Sequence, residues 1–314
     1  MSTDPAPTAR LRTALDEGSV LIGGCFDALS ARLAELAGFP AVQLSGFGVE
    51  VTQIGAPDLG LTTLTELAAH ATRVASTVAI PVIADVDTGF GGVLNVARTV
   101  RELERADVAG LHIEDQALPK RCPLLGGRRV LSRAAAVDRV SAACEARRDR
   151  DFLIIARTDA DVVSVDEVIE RANLYLRAGA DVAMPMSLQV NGRPFAELSP
   201  DEQMELLARL AREIDGPVMS SGAPPPPGYT AEDLADAGYA LVLFASSALS
   251  SAANAMAAMY AAIVRDQTDA RYIQANPGRY HDGYELMRAV HLDRYQDIEQ
   301  RHTTSRDTYQ GEDQ

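Results

Sequence analysis

Eight short apolar runs punctuate the chain as far as Ala245: VLIGG, AVQLSG, PVIAD, GLHIE, FLIIAR, DVAMPM, PVMSS and ALVLFA. Between them lie stretches such as DALSARLAELAGF, VARTVRELERA and VDEVIERANLYLRAGA, where apolar side chains recur near i, i+3, i+4 and i+7. Strand followed by amphipathic helix, repeated this often, predicts a parallel sheet, and runs this rich in Val, Ile and Leu suit strands covered on both faces. Eight such units predict closure into a (β/α)8 barrel of the TIM type. The expected organisation is an N-terminal lead with a short helix over 1–18, a catalytic barrel over 19–267, and a C-terminal helical extension with a loose tail over 268–314. A doubly wound open sheet is the competing architecture; it too would place ligands at strand C-termini, but the chain carries no GxGxxG fingerprint to favour a nucleotide there.

The chain has 314 residues and a formal charge of −15, and no basic stripe offsets that charge. Such a surface repels polyphosphate and anionic lipid, so neither nucleic acid nor membrane is an expected partner. Three cysteines without metal-type spacing support neither a disulfide framework nor a structural zinc site. With no signal pattern at the start and no run of about 18 apolar residues anywhere, a cytoplasmic location is expected. The Ala-rich segment ALSSAANAMAAMYAAIVRDQ needs cover on most sides, which predicts packing against its own barrel and a second subunit in a homo-oligomer, dimer or tetramer.

Polar residues collect just past the apolar runs: Ser45, Asp85 and Asp87, Glu114, Arg157 and Asp159. In a barrel they would converge on the C-terminal mouth. Asp85 and Asp87 alternate across Val86 and share a face on an extended chain. Each taken alone could be a helix cap; with Glu114 they offer hard oxygen ligands suited to Mg²⁺, with Mn²⁺ as an alternative. His112 lies on the face of Glu114, as a core histidine or a contact to substrate oxygen. Arg157 offers a planar cation for a carboxylate or phosphate, or else a salt bridge to Asp159.

Lys120 is the sole lysine of the chain, in the segment LPKRCPLLGG. Prolines and glycines around it predict a loop able to close over the mouth. An ammonium can give up a proton where a guanidinium cannot, which gives Lys120 a reason not to be arginine. Lys120 and Arg121 beside Cys122 are expected to lower the thiol pKa and fit it for proton transfer; an exposed loop with an incidental cysteine is the plainer reading.

FDALSA, LSGFG, GAPDLGLTTL, ADVDTGFGG, HIEDQ, PKRC and IIARTDA resemble, in order and spacing, the isocitrate lyase and phosphoenolpyruvate mutase superfamily over about residues 20–260. The resemblance implies a (β/α)8 barrel with a C-terminal helix exchanged between subunits, and Mg²⁺-dependent chemistry on 2-oxo or 2-hydroxy acids. It implies that Asp85, Asp87 and Glu114 are the metal-centred acids and Asp58 a supporting one. Ser45, Gly46 and Phe47, with His112 and Arg157, would hold the 2-oxo acid end, and Cys122 would be the proton donor of the lyase branch, carried on the loop with Lys120 and Arg121. The chain departs from the family where Pro123-Leu124 replaces Gly-His, Gln43 a tyrosine, Met186 a glutamate and Ser221 an asparagine. A pocket stripped of those groups pairs a distal carboxylate poorly, so the expected substrate has a less polar distal substituent. The expected reaction is retro-aldol cleavage of a 2-hydroxy acid to pyruvate or glyoxylate, or its reverse. Phosphonomutase or oxaloacetate-type decarboxylase chemistry is one alternative; a catalytically silent homologue that binds a 2-oxo acid is another.

Overall fold

The computed structural model describes residues 5–302, so the tail expected to be loose, SRDTYQGEDQ, lies outside the described residues. All eight apolar runs form strands: β1 Val20–Cys25, β2 Ala41–Leu44, β3 Val82–Asp85, β4 Gly110–Glu114, β5 Leu153–Thr158, β6 Val182–Pro185, β7 Val218–Met219 and β8 Tyr239–Phe244. Each pairs in parallel with its neighbours in chain order, and β1 pairs with β8 to close the barrel. The fold is the expected TIM-type barrel rather than an open sheet.

The core has two layers. Ile22, Ala41, Ile83, Leu153, Ile155, Val182, Met184, Met219 and Leu241 fill the barrel interior, and Leu11 from the first helix, α1 (Pro7–Glu17), packs against them. A second helix, α2 (Ala28–Leu36), shows the local logic at its N-terminus: Asp27 accepts from Ser30 N–H while Ser30 Oγ accepts from Asp27 N–H, a capping box that starts the helix on the turn after β1. Outside the sheet, Leu67 and Val74 of α3 (Leu64–Ala75) share a cluster with Val96, Val100 and Leu103 of α4 (Val93–Arg105).

Strand register decides where the polar residues meet. Asp85 pairs with His112, and Glu114 with Arg157, so four chemistry-bearing residues fall at the C-terminal ends of three adjacent strands. A small antiparallel ribbon, Gln189–Val190 with Arg193–Pro194, follows β6 and was not expected from the sequence.

The described residues form two compact units divided after Ala252. The second contains helices Ala270–Ala275, Gly283–Ala289 and Leu292–His302. The helix Ser247–Asp266 is 20 residues long and, by length and composition alone, apolar enough to cross a membrane. The expectation that no run of that length occurs is therefore corrected; alanine and serine dominate its sequence, which is why it did not register as a strongly apolar run.

Candidate active site

The chain turns sharply after β2. Ser45 caps the short helical turn Gly46–Val49, its Oγ accepting from Gly48 N–H at 3.2 Å. Gly46 N–H donates to Asp85 Oδ2 at 3.1 Å. A Cβ on Gly46 would stand 2.9 Å from that oxygen, so only glycine lets the main chain approach the carboxylate this closely. Asp87 N–H donates to Asp85 Oδ1, also at 3.1 Å, and Asp87 sits in the left-handed region with φ of 49°. Asp85 is thus gripped on both oxygens by backbone donors. Phe47, next in the turn, is half-buried.

His112 and Gln43 meet inside the barrel, with Gln43 Nε2 2.9 Å from His112 Nε2. His112 Nδ1 is 3.5 Å from Asp85 Oδ1 without a hydrogen bond, and Gln43 Oε1, His112 Nδ1 and Glu114 Oε1 are buried without partners. Burial lowers the His112 pKa despite the opposing pull of Asp85, which keeps the ring neutral. Arg157 places Nε and Nη2 on the two oxygens of Asp159 at 2.9 Å each, and Nη1 3.1 Å from Glu114 Oε2. The expected pairing of Arg157 with Asp159 is present; three of its five N–H donors make these contacts. Met186 is buried just past β6, and Ser187 Oγ lies 3.5 Å from Ser221 Oγ.

The loop after β4 folds over this cluster. The Lys120 ammonium reaches between two acids, bonded to Asp58 and 2.6 Å from Asp87 Oδ1. Burial pulls its pKa down, but Asp87, Glu114, Asp58 and Asp85 outweigh burial and raise it, so the ammonium stays charged. Cys122 is buried beside it, its N–H donating to Asp58 O at 3.2 Å. The expected acidic thiol is not found. Burial first, and then the nearby Asp58, push Cys122 up to about 11, because the charge of Lys120 is already spent on two carboxylates. At neutral pH Cys122 is a thiol rather than a thiolate, and iodoacetamide at pH 8 should label it roughly a hundredfold more slowly than a free cysteine, read by peptide mass spectrometry. Arg121, grouped with the catalytic residues from its position, has an exposed side chain against Gly127. It does not reach the acids; only its main chain faces inward.

Asp58, Asp85, Asp87, Glu114 and Asp159 face Lys120, Arg157 and an Arg128 shared with Asp161, and the surplus of negative charge shows in the titration of Asp87 and Glu114. Burial, then the charge of Asp85, raises Asp87 to about 7, and burial lifts Glu114 well above the usual carboxylate range against the pull of Arg157. Asp85 goes the other way: burial is overcome by the permanent charges of Lys120 and Arg157 and by the Asp87 N–H, and its pKa is lowered. Among the described residues no three His, Cys, Asp or Glu side chains form a ready-made cage for a metal, since Lys120 lies between Asp58 and Asp87 while Glu114 turns to Arg157. The donor chemistry nevertheless fits a hard divalent ion, which takes one or two carboxylates and keeps water for the rest; the unpartnered Glu114 Oε1 and the surplus charge are what such an ion would neutralise.

Several supporting residues were not singled out from sequence. Glu50, buried, accepts N–H groups of Leu59, Leu61 and Thr62 at 2.8, 2.5 and 3.0 Å and so fixes the loop carrying Asp58. Arg128 bridges Asp159 and Asp161. Asp115 gathers Tyr175, Thr158 and Arg171. All three are charged residues buried by contacts distant in sequence, and a glutamate in GVEVTQ carries no local mark of that. A cleft of about 780 Å³ opens beside Asp87 and Lys120, walled by Gly60, Phe90, Asn95 and Arg98.

Acids, a guanidinium and a protonated thiol at the C-terminal mouth of a (β/α)8 barrel describe a barrel enzyme for a small molecule. The family model for phosphoenolpyruvate phosphomutase matches residues 11–264. Over 267 residues the chain is 36% identical to a 2,3-dimethylmalate lyase of Eubacterium barkeri, covering 83% of this chain and 88% of that one. A crystal structure of phosphoenolpyruvate phosphomutase from Streptomyces platensis subsp. rosaceus superposes with a TM-score of 0.80 at 32% identity, over 94% of this chain and 99% of that one. A phosphonopyruvate hydrolase solved with oxalate and Mg²⁺ gives 0.80 at 28% identity, over 95% and 99%. The chain belongs to the isocitrate lyase and phosphoenolpyruvate mutase superfamily and is an enzyme of that type.

Proposed function

We propose that this enzyme is a Mg²⁺-dependent carbon–carbon lyase, cleaving a 2-hydroxy acid to pyruvate or glyoxylate or running the reverse condensation. The observation that carries the reading is the juxtaposition of a gripped, ionised Asp85 with a lid that delivers a protonated Cys122 to the same mouth. Asp85, Asp87 and Glu114, with Asp58 in support, would hold the ion, and the ion would stabilise negative charge on the substrate oxygens. The Ser45–Gly46 turn and the free N–H groups of Arg157 would bind the 2-oxo acid end. In cleavage the hydroxyl proton would pass to a carboxylate of the cluster that the ion leaves free. The hydroxyl-bearing carbon becomes the carbonyl as its bond to the next carbon breaks, and that electron pair takes the Cys122 S–H proton. Buried Met186 and the neutral Gln43 support a distal substituent less polar than a carboxylate arm.

Coupled detection of pyruvate and glyoxylate over a panel of 2-hydroxy acids, alkyl-substituted malates included, tests the reading. Mg²⁺-dependent release from one of them is the expected result. Release of CO₂ alone from 2-oxo acids, surviving Cys122→Ala, would replace it with a decarboxylase. With Asp87 near 7, protons compete with the metal. The apparent Mg²⁺ affinity should weaken about tenfold from pH 8 to pH 6, as calorimetry would show. Self-association through the Ala-rich helix remains part of the proposal, read by sedimentation.

A further inference from the structure

Gln116 stands two residues past the end of β4 and is almost wholly buried. Its amide grips both main-chain groups of one residue on the lid: Oε1 accepts Arg121 N–H at 2.9 Å, and Nε2 donates to Arg121 O at 3.0 Å. The same Nε2 lies 3.3 Å from Asp159 Oδ1, the oxygen that also receives Arg157 Nη2 and Arg128 Nη1 at 2.9 Å each. On one side of Arg121 stands Lys120 with its two aspartates; on the other Cys122 N–H bonds to Asp58 O. The stem beneath is rigid, because Arg139 Nη1 donates to Glu114 O at 2.7 Å and to Gln116 O at 3.0 Å.

We infer that Gln116 is a positioning residue: its amide sets the register of Lys120–Arg121–Cys122 over the mouth and ties that register to the Arg157–Asp159 pair facing the substrate acid. A two-sided grip needs a donor and an acceptor at equal reach. Glutamate lacks the donor, methionine lacks both, and asparagine is one methylene short. This also explains why Arg121 can turn its side chain to solvent and still sit in a fixed place: what the lid uses there is backbone. The kinetic consequence rests on the lyase reading; the grip itself does not.

The test compares the full-length wild type with Gln116→Met and Gln116→Glu. For Gln116→Met, kcat of cleavage should fall roughly a hundredfold, the loss typical of a reacting group displaced by about 1 Å. Oxalate affinity in Mg²⁺ should stay within about threefold and Tm close to wild type, since Asp159 Oδ1 loses the longest of its three donors and keeps Arg157 and Arg128. Trypsin should cut within residues 120–129 of the ligand-free variant about tenfold faster. Gln116→Glu keeps the acceptor for Arg121 N–H and should fall between. The inference is overturned by a kcat within threefold of wild type, by an unchanged tryptic rate, or by kcat, oxalate affinity and Tm falling together as in a general loss of structure. Should wild type neither turn over any 2-hydroxy acid nor bind oxalate with Mg²⁺, the lyase reading fails while the tryptic comparison still decides the grip.

Discussion

Asp85→Asn lowers kcat/KM on the order of 10³-fold or more, the scale on which removing a preorganised electrostatic contact acts, and abolishes Mg²⁺ binding in calorimetry at pH 8. Two backbone donors hold the oxygens of the native carboxylate. An asparagine can satisfy one N–H through its carbonyl, but its NH₂ then opposes the other donor and has no charge to offer a cation. Among the clustered acids Asp85 is the one whose pKa is lowered despite burial, with Lys120 and Arg157 favouring its ionised form. Asp87 and Glu114 are raised and therefore depend on the cation to stay charged. The substitution conserves shape, and relief of the repulsion with Asp87 offsets the lost N–H contact, so Tm should hardly move. A loss below tenfold with Mg²⁺ binding intact would remove the metal from the proposal and leave the acids as hydrogen-bonding groups.

The barrel was legible because its signal is local and repeated: each strand is a short Val/Ile/Leu run, and each helix carries its own 3.6-residue period. The positions of Asp85, Asp87, Glu114 and Arg157 were legible for the same reason, since parallel pairing carries strand-end residues to one rim. The state of those residues was not. Lys120 meets an aspartate 62 positions earlier, and the Cys122 pKa is set by burial and by that partner, so adjacency to Lys and Arg in sequence pointed the wrong way. Arg121 fails in a related manner: a loop has no period from which to read which side chains face inward. Gln116 stands inside the HIEDQ motif, yet its task depends on the main chain of another segment, and a sequence carries no trace of main-chain hydrogen bonding to side chains.

Lys120→Arg should lower kcat about a hundredfold, although formal charge is conserved. The ammonium is a compact donor wedged between Asp58 and Asp87. Its stem passes Gly60, where a Cβ would come within 3.1 Å of Lys120 Cγ, so glycine lets the lysine lie this close, and a wider head group has to fit between the same two carboxylates. A guanidinium must therefore either lift the lid, carrying Cys122 off the mouth, or turn outward and abandon one aspartate. Lys120→Ala separates the charge effect from the steric one. Leaving two buried acids without their partner costs about 3–5 kcal/mol, read in denaturant titrations of the metal-free protein. The sign with pH is fixed by Asp87: as pH falls through about 7 it takes up a proton, the repulsion that Lys120 relieved disappears, and the gap between wild type and variant should narrow toward pH 6. Added Mg²⁺ should narrow it at pH 8, because the ion would supply the positive charge that alanine lacks. A variant that gains stability from neither protons nor Mg²⁺ would mean that the lysine serves packing alone, and a chain with a single lysine would have no electrostatic reason to keep it there.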